Sequence, residues 1–188
     1  MAFKIFLTGT PGTGKTTVLR KIADELKQRG ILVGGMITEE VRENNVRIGF
    51  KVCDILSGRE GWLASTRRRE GPRIGKYVVD LEGLGEVGVR AIADALHEPR
   101  IAVVMIDEIG PMELFSNEFK TMVKQSIAST KAVIGTIHYR ATDPLLQEIR
   151  RAYGIKIVVI TMENRDNLHL KIVDRLAQAQ QTTRNLSD

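Results

Sequence analysis

The chain has 188 residues, 43% of them hydrophobic, which suits one compact domain with a buried core. Its formal net charge of +5 favours polyanions, but nucleotides belong to that class as much as nucleic acids do. One cysteine, Cys53, excludes an internal disulfide and a multi-cysteine metal site, and it fits the reducing cytoplasm expected for this chain. Met1 to Leu7 is too short an apolar stretch for a signal peptide, and no apolar run reaches the roughly 18 to 20 residues of a membrane span. No membrane association is expected.

Lys4 to Leu7 is a short apolar run that leads into a glycine-rich turn, the pattern of a buried strand. Beyond the turn, Val18, Leu19, Ile22, Ala23 and Leu26 share one helical face, and Gly30 is a fitting terminator. Ile31 to Thr38 reads as a second strand. Glu39 to Ile55 then departs from simple alternation: Asn44-Asn45 is a turn pair, and Val46, Ile48, Phe50 and Val52 follow at period two. A β-hairpin inserted on the sheet is expected there. Ser57 to Lys76, rich in glycine and arginine with little periodicity, reads as a functional loop.

Regular alternation resumes with a short strand at Tyr77 to Val79 and a helix from Leu84 to Leu96 that turns Val87, Ala91, Ile92 and Leu96 inward. Ile101 to Ile106 is the most apolar strand pattern in the chain. Phe119, Met122, Val123 and Ile127 mark a helix, Ala132 to Ile137 a strand, and Asp143-Pro144 a helix start. Ile157 to Ile160 gives a last strand, and Leu168, Ile172, Val173 and Leu176 a last helix. A single domain is expected over residues 1–178, followed by a polar tail over 179–188 that frays. The fold class is therefore α/β: a mostly parallel sheet with helices on both faces, which places a ligand at the carboxyl ends of the strands.

Gly9, Thr10, Pro11, Gly12, Thr13, Gly14, Lys15 and Thr16 form a complete G-x-x-x-x-G-K-[ST] match between a strand and a helix. Glycines let the backbone wrap phosphate oxygens, and the helix start adds partial positive charge. Lys15 is expected to reach the β- and γ-phosphates, and Thr16 to ligate Mg²⁺, with Thr17 adjoining them. The buried run Val103, Val104, Met105 and Ile106 delivers Asp107 at its end. That is a Walker B arrangement, with Asp107 supporting Mg²⁺, and the nucleotide site is expected to continue through Glu108, Ile109 and Gly110. Glu108 is placed to polarise an attacking water; the plainer alternative is an exposed loop acid. Thr136 and His138 close another strand, where His138 either senses the γ-phosphate or is an ordinary loop histidine.

Arg59 and Arg73, flanked by glycines, are the candidates for an arginine finger, whereas Arg67 to Arg69 reads first as a solvated basic run. Trp62 either stacks on a base or anchors packing, with packing the commoner use. Cys53, without a nearby histidine, reads as packing. Arg165 is expected to lie against a base through its guanidinium plane, with low base selectivity.

Several segments together resemble the small P-loop nucleoside-triphosphatase family first described from thermophiles, whose members include the human cancer-related nucleoside-triphosphatase. They are Gly9 to Thr16, Ser57 to Ala64, Arg73 to Asp80, and Ile106 to Leu114, with Thr136-Ile137-His138 and Glu163 to Asp166 also matching. The resemblance runs from Lys4 to about Leu176. It implies a RecA-like core and slow, Mg²⁺-dependent hydrolysis of nucleoside triphosphates (ATP, GTP, CTP, UTP and TTP) to diphosphate and phosphate. Pro111 stands where many relatives carry a basic residue.

Three readings therefore remain. Hydrolysis leads. A nucleotide or small-molecule kinase, with the basic loop as lid, is second. An ATP-gated nucleic-acid binder is third, disfavoured because aromatics are only 5% and do not interleave with basic residues. The oligomeric state is left open.

Overall fold

The computed structural model describes residues 2–185, with side chains to residue 181. The strands are β1 (Lys4–Thr8), β2 (Val33–Glu43), β3 (Val46–Asp54), β4 (Glu60–Ser65), β5 (Arg73–Ile74), β6 (Tyr77–Val79), β7 (Val103–Ile109), β8 (Ala132–Ile137) and β9 (Ile155–Val159). The helices are α1 (Lys15–Gln28), α2 (Leu81–Gly83), α3 (Arg90–His97), α4 (Asn117–Ala128), α5 (Pro144–Arg151) and α6 (Leu168–Asn185). All the strands join one nine-stranded sheet in the order β5-β6-β4-β3-β2-β7-β8-β1-β9. From β2 to β9 the neighbours are parallel; β3, β4, β6 and β5 extend that core as an antiparallel wing.

Side-chain alternation decides which helices cover which face. Val103 and Met105 of β7 join Ile5, Leu7 and Ile134 under α1 and α6. Val104 and Ile106 join Phe6, Met36 and Val133 on the opposite face, together with buried residues of α3, α4 and α5. Each such side chain contributes about 1.5 to 3 kcal/mol on burial. The strand β8 lies between β1 and β7, and all three run parallel, so the loop after β1 and the acids near the carboxyl end of β7 lie at the same edge of the sheet.

Two lysines secure the layers. Lys4, read as part of an apolar run, is buried, and its ammonium donates to the carbonyls of Ser126 (2.9 Å), Ser129 (3.0 Å) and Lys131 (2.6 Å). Lys131 does the same for Ala95 (2.8 Å) and Glu98 (2.5 Å) at the end of α3. Most of these carbonyls lie at the ends of α4 and α3, where the helix itself supplies few donors.

The wing is where the sequence reading needs correction. Ser57 to Lys76 is not one loop: β4 pairs antiparallel with β3, and β5 with β6. Leu63 and Ala64 are buried, and Gly61 packs so closely that a β-carbon there would stand 2.9 Å from Val87 Cγ2. The glycine marks a tight contact and not a loop. The hairpin at Asn44-Asn45 is present, with both residues at positive φ (47° and 62°), as a tight β-turn demands. Strand β2 runs past Thr38 to Glu43. The expected helix at Leu84 begins earlier, at α2, where Asp80 accepts from the Gly83 N–H (3.0 Å), and its middle, Leu84–Val89, is a π-helical segment. Leu96 packs half-buried against the core as expected, and Ala95 is buried beside it. Helix α6 extends to Asn185, across the boundary at 178 read from the sequence, while residues 186–188 of the expected tail lie outside the described residues. Among the described residues no helix is long and apolar enough to cross a membrane.

Gly35 holds β2 close against β7 within the parallel core. It lies opposite Met105 at φ +111°, and a β-carbon would come within 2.1 Å of the Met105 carbonyl oxygen. Gly35→Ala is expected to cost about 3 kcal/mol or more, read as a lower midpoint in urea unfolding. A midpoint matching wild type would contradict this close approach.

Candidate nucleotide site

The loop after β1 turns on glycines at positive φ, Gly12 at 80° and Gly14 at 91°. Gly14 sits at the start of α1 without a side-chain cap, and no acid lies in the first turn. The leading N–H groups of the helix are therefore left for an anion. Thr13 steadies the loop through its hydroxyl, which donates to the Thr10 carbonyl (2.9 Å), and Lys15 Nζ donates to the Gly9 carbonyl (3.2 Å).

Opposite the loop, β7 carries Asp107 near its carboxyl end, only 1% exposed. Its carboxylate is held from both neighbouring strands. Thr136 Oγ1 of β8 donates to Oδ1 (2.7 Å), and Thr38 Oγ1 of β2 donates to Oδ2 (3.2 Å). Two hydroxyls fix a buried carboxylate that no cation neutralises within the chain's own hydrogen bonds, an environment suited to a hard cation. The donor set of Asp107 and the Thr16 hydroxyl thus fits Mg²⁺.

Glu108, the next residue, lines the cleft that the P-loop borders, whereas Asp107 does not. Burial pushes its carboxyl above the usual range, and Asp107 adds to that, while Lys15 pulls it back. His138 Nδ1 accepts from the N–H groups of Arg140 (3.2 Å) and Ala141 (3.0 Å), which places the proton of the neutral ring on Nε2. Burial, then Lys15 and Arg150, lower its pKa, so it stays neutral and can donate.

The cleft measures about 880 Å³. Gly9, Pro11, Gly12, Gly14, Lys15, Thr16, Thr17, Glu108 and His138 line it, as the sequence reading requires. Val103, Val104, Met105, Ile106 and Ile109 are wholly buried in the core, so they deliver the acids and do not themselves face the cleft. Neither Arg59 nor Arg73 reaches it: Arg59 Nη2 donates to the Glu86 carbonyl (2.8 Å), and Arg73 is an exposed residue of β5 whose neighbour Ile74 lines the cleft instead. Arg165 lies outside the cleft, 3.8 Å from Asp166. Arg67 and Arg68 pair with Glu43 and Asp80, and Trp62 borders a separate small pocket with them. Cys53 is buried, its thiol pushed up to about 11 by burial.

Sequence reasoning missed Thr38, Arg20, Arg47 and Glu113, all of which line the cleft. Thr38 had a readable signal, since it is the polar residue that closes the expected second strand. Arg20 pairs with Glu39 (2.5 Å), and Arg47 is held by Glu40 (2.8 Å) and by the Tyr77 hydroxyl (2.8 Å), over the rings of Phe50 and Tyr77. Strand pairing, and the packing of α1 against β2, bring these partners together.

A phosphate-binding loop, a buried acid held across from it and a further strand between the two define a P-loop nucleotide-binding protein with a RecA-like core. The family model described as NTPase matches residues 4–173. The nucleoside-triphosphatase THEP1 of Thermofilum pendens is 49% identical over 94% of this chain and 97% of its own length. That of Methanothermobacter thermautotrophicus is 43% identical over 92% and 95%. The crystal structure of THEP1 from Aquifex aeolicus superposes with a TM-score of 0.81 at 35% identity, covering 93% of this chain and 99% of that one. The solution structure of a human cancer-related nucleoside triphosphatase gives 0.79 at 39%, covering 93% and 97%. The chain belongs to this NTPase family.

Proposed function

We propose that the protein hydrolyses nucleoside 5′-triphosphates (ATP, GTP, CTP, UTP and TTP) to diphosphate and phosphate in the cytoplasm, with Mg²⁺ as cofactor. One observation carries the reading: Glu108, next to the buried Asp107, opens into the same cleft as Lys15 and the P-loop. Lys15 and the loop amides bind the β- and γ-phosphates. Thr16 and Asp107 would hold Mg²⁺, which supplies positive charge to the phosphate oxygens. Glu108 accepts the proton of the attacking water, and His138 Nε2 donates toward the γ-phosphate.

Thr38→Val keeps the shape of the side chain but removes one donor to Asp107. The Mg²⁺ concentration for half-maximal turnover is expected to rise about 10-fold, the usual worth of a group that orients a metal ligand. An unchanged Mg²⁺ requirement would remove Thr38 from that role.

Base selectivity is low on this reading because the P-loop grips phosphates only. In the turn after β9, Asn164 Oδ1 accepts from the Thr161 N–H (3.0 Å) and Nδ2 donates to the Val159 carbonyl (2.9 Å), so its amide is engaged in the turn itself. ATP and GTP are expected to differ in kcat/KM by less than about a thousandfold. A larger ratio points to a base-reading group.

A second reading, phosphoryl transfer to an acceptor, is favoured by the extent of the cleft, which continues past the phosphate end onto Arg47, Phe50, Leu63 and Ile74 of the wing. A nucleic-acid partner stays the disfavoured third. Phosphate release from each triphosphate, with and without EDTA and then with added acceptors, separates them. Release without an acceptor supports hydrolysis; turnover only when one is added supports transfer.

A further inference from the structure

The wing brings a second set of metal-binding side chains together, none of them shared with Asp107 and Thr16. Strand register sets it out. Cys53 of β3 pairs with Ile37 of β2 on one side and with Glu60 of β4 on the other, and Glu39 stands two residues beyond Ile37. Side chains alternate along a strand, so Glu39, Cys53 and Glu60 leave three adjacent strands on the same face of the sheet. The Cys53 sulfur and a carboxylate oxygen from each glutamate all lie within 4.8 Å of one another.

Each member keeps a ligand atom free. Cys53 is only 7% exposed, and among the described residues its thiol has no hydrogen-bond partner, although both carboxylates stand close to it. Arg20 holds Oε1 of Glu39 (2.5 Å) and Lys51 holds Oε2 of Glu60 (2.7 Å), so the other oxygen of each glutamate has no hydrogen bond among the described residues. A ligating carboxylate is commonly oriented by such an outer partner. The two side-chain cations also matter for charge: with a divalent ion in place, they and the ion leave no negative charge of the three ligands uncompensated. Without an ion the thiol is protonated, because burial, then Glu39 and Glu60, push it up to about 11. A metal ion among the three reverses that balance. Glu60 is exposed and Glu39 partly so, which gives the ion a path from solvent.

We propose that Glu39, Cys53 and Glu60 form a binding site for a thiophilic divalent cation of the Zn²⁺ class, which ties β2, β3 and β4 together. Zinc accepts thiolate and carboxylate in one tetrahedral set, with water in the fourth position, whereas Mg²⁺ selects oxygen alone. On binding, the Cys53 S–H bond breaks, its electron pair forms the metal–sulfur bond, and the proton leaves to solvent. The site does not depend on the hydrolytic reading. It adjoins the Mg²⁺ region all the same, since Glu39 directly follows Thr38, whose hydroxyl holds Asp107.

Co²⁺ reports thiolate ligation directly. The full chain, stripped of bound metal and held in excess Mg²⁺ to fill the oxygen-ligated site, is titrated with Co²⁺ and then with Zn²⁺. Wild type should develop a near-ultraviolet sulfur-to-cobalt band that saturates at one ion per chain and is erased by Zn²⁺. Cys53→Ser should show no band. Glu39→Gln and Glu60→Gln should each weaken Co²⁺ binding by at least the about 10- to 100-fold that loss of an outer partner costs. Absence of the band in wild type overturns the proposal. So does a band that both glutamine variants keep at wild-type affinity, because the thiol alone would then be holding the ion. Should Cys53→Ser fail to fold, the exposed Glu60→Gln decides: unchanged Co²⁺ affinity overturns the site, and weakened affinity upholds it.

Discussion

Lys15→Ala is expected to weaken triphosphate binding by about 10²-fold or more, the worth of a charge-assisted contact to phosphate that nothing else replaces. The lysine leads helix α1, and its ammonium rests on the Gly9 carbonyl at 3.2 Å, inside the loop that would surround the phosphates. The other arginines of the cleft are committed elsewhere, Arg20 to Glu39 and Arg47 to Glu40, so neither substitutes for it. Fluorescence titration of wild type and variant with a Mg²⁺–triphosphate analogue measures the difference. Affinity equal to wild type would mean that the phosphates bind elsewhere.

Glu108→Gln separates binding from chemistry. Glutamine keeps the size of the side chain but cannot take a proton from water. Binding of Mg²⁺–triphosphate should persist while hydrolysis falls by about 10² to 10⁴-fold, the range for a positioned general base. Asp107→Asn should behave differently and harm metal-dependent binding as well, because Asp107 is the buried carboxylate that Thr38 and Thr136 aim. Wild-type turnover in Glu108→Gln would transfer the task of orienting water to His138, which also lines the cleft.

The placement of residues 9–16 between β1 and α1, and of Asp107-Glu108 on the apolar strand β7, was legible because those patterns are local. A phosphate loop needs consecutive residues, and an acid at the end of a buried strand needs only the strand before it. The parallel core was legible for the same reason, since strands such as Ile101 to Ile106 are apolar on both faces and stand out as short runs. The wing was less so. In β4 the buried residues Leu63 and Ala64 are consecutive, which breaks a period of two, Gly61 lacks a side chain where Val87 packs, and arginines crowd the segment that follows. Local pattern cannot tell such a strand from a loop. The arginines show the limit most clearly. Arg59 and Arg73 had suggestive glycine neighbours, yet Arg20 and Arg47 line the cleft, because the pairing of β2 with β3 and the pitch of α1 place them there. Glu113 was within a recognised segment, but its burial in the cleft wall depends on the turn at Gly110, a tertiary fact.

If water attacks the γ-phosphorus, turnover of ATP in oxygen-labelled water, followed by mass spectrometry of both products, puts the label in inorganic phosphate and none in ADP. Label in the diphosphate, or loss of ATP without labelled phosphate, rules that attack out.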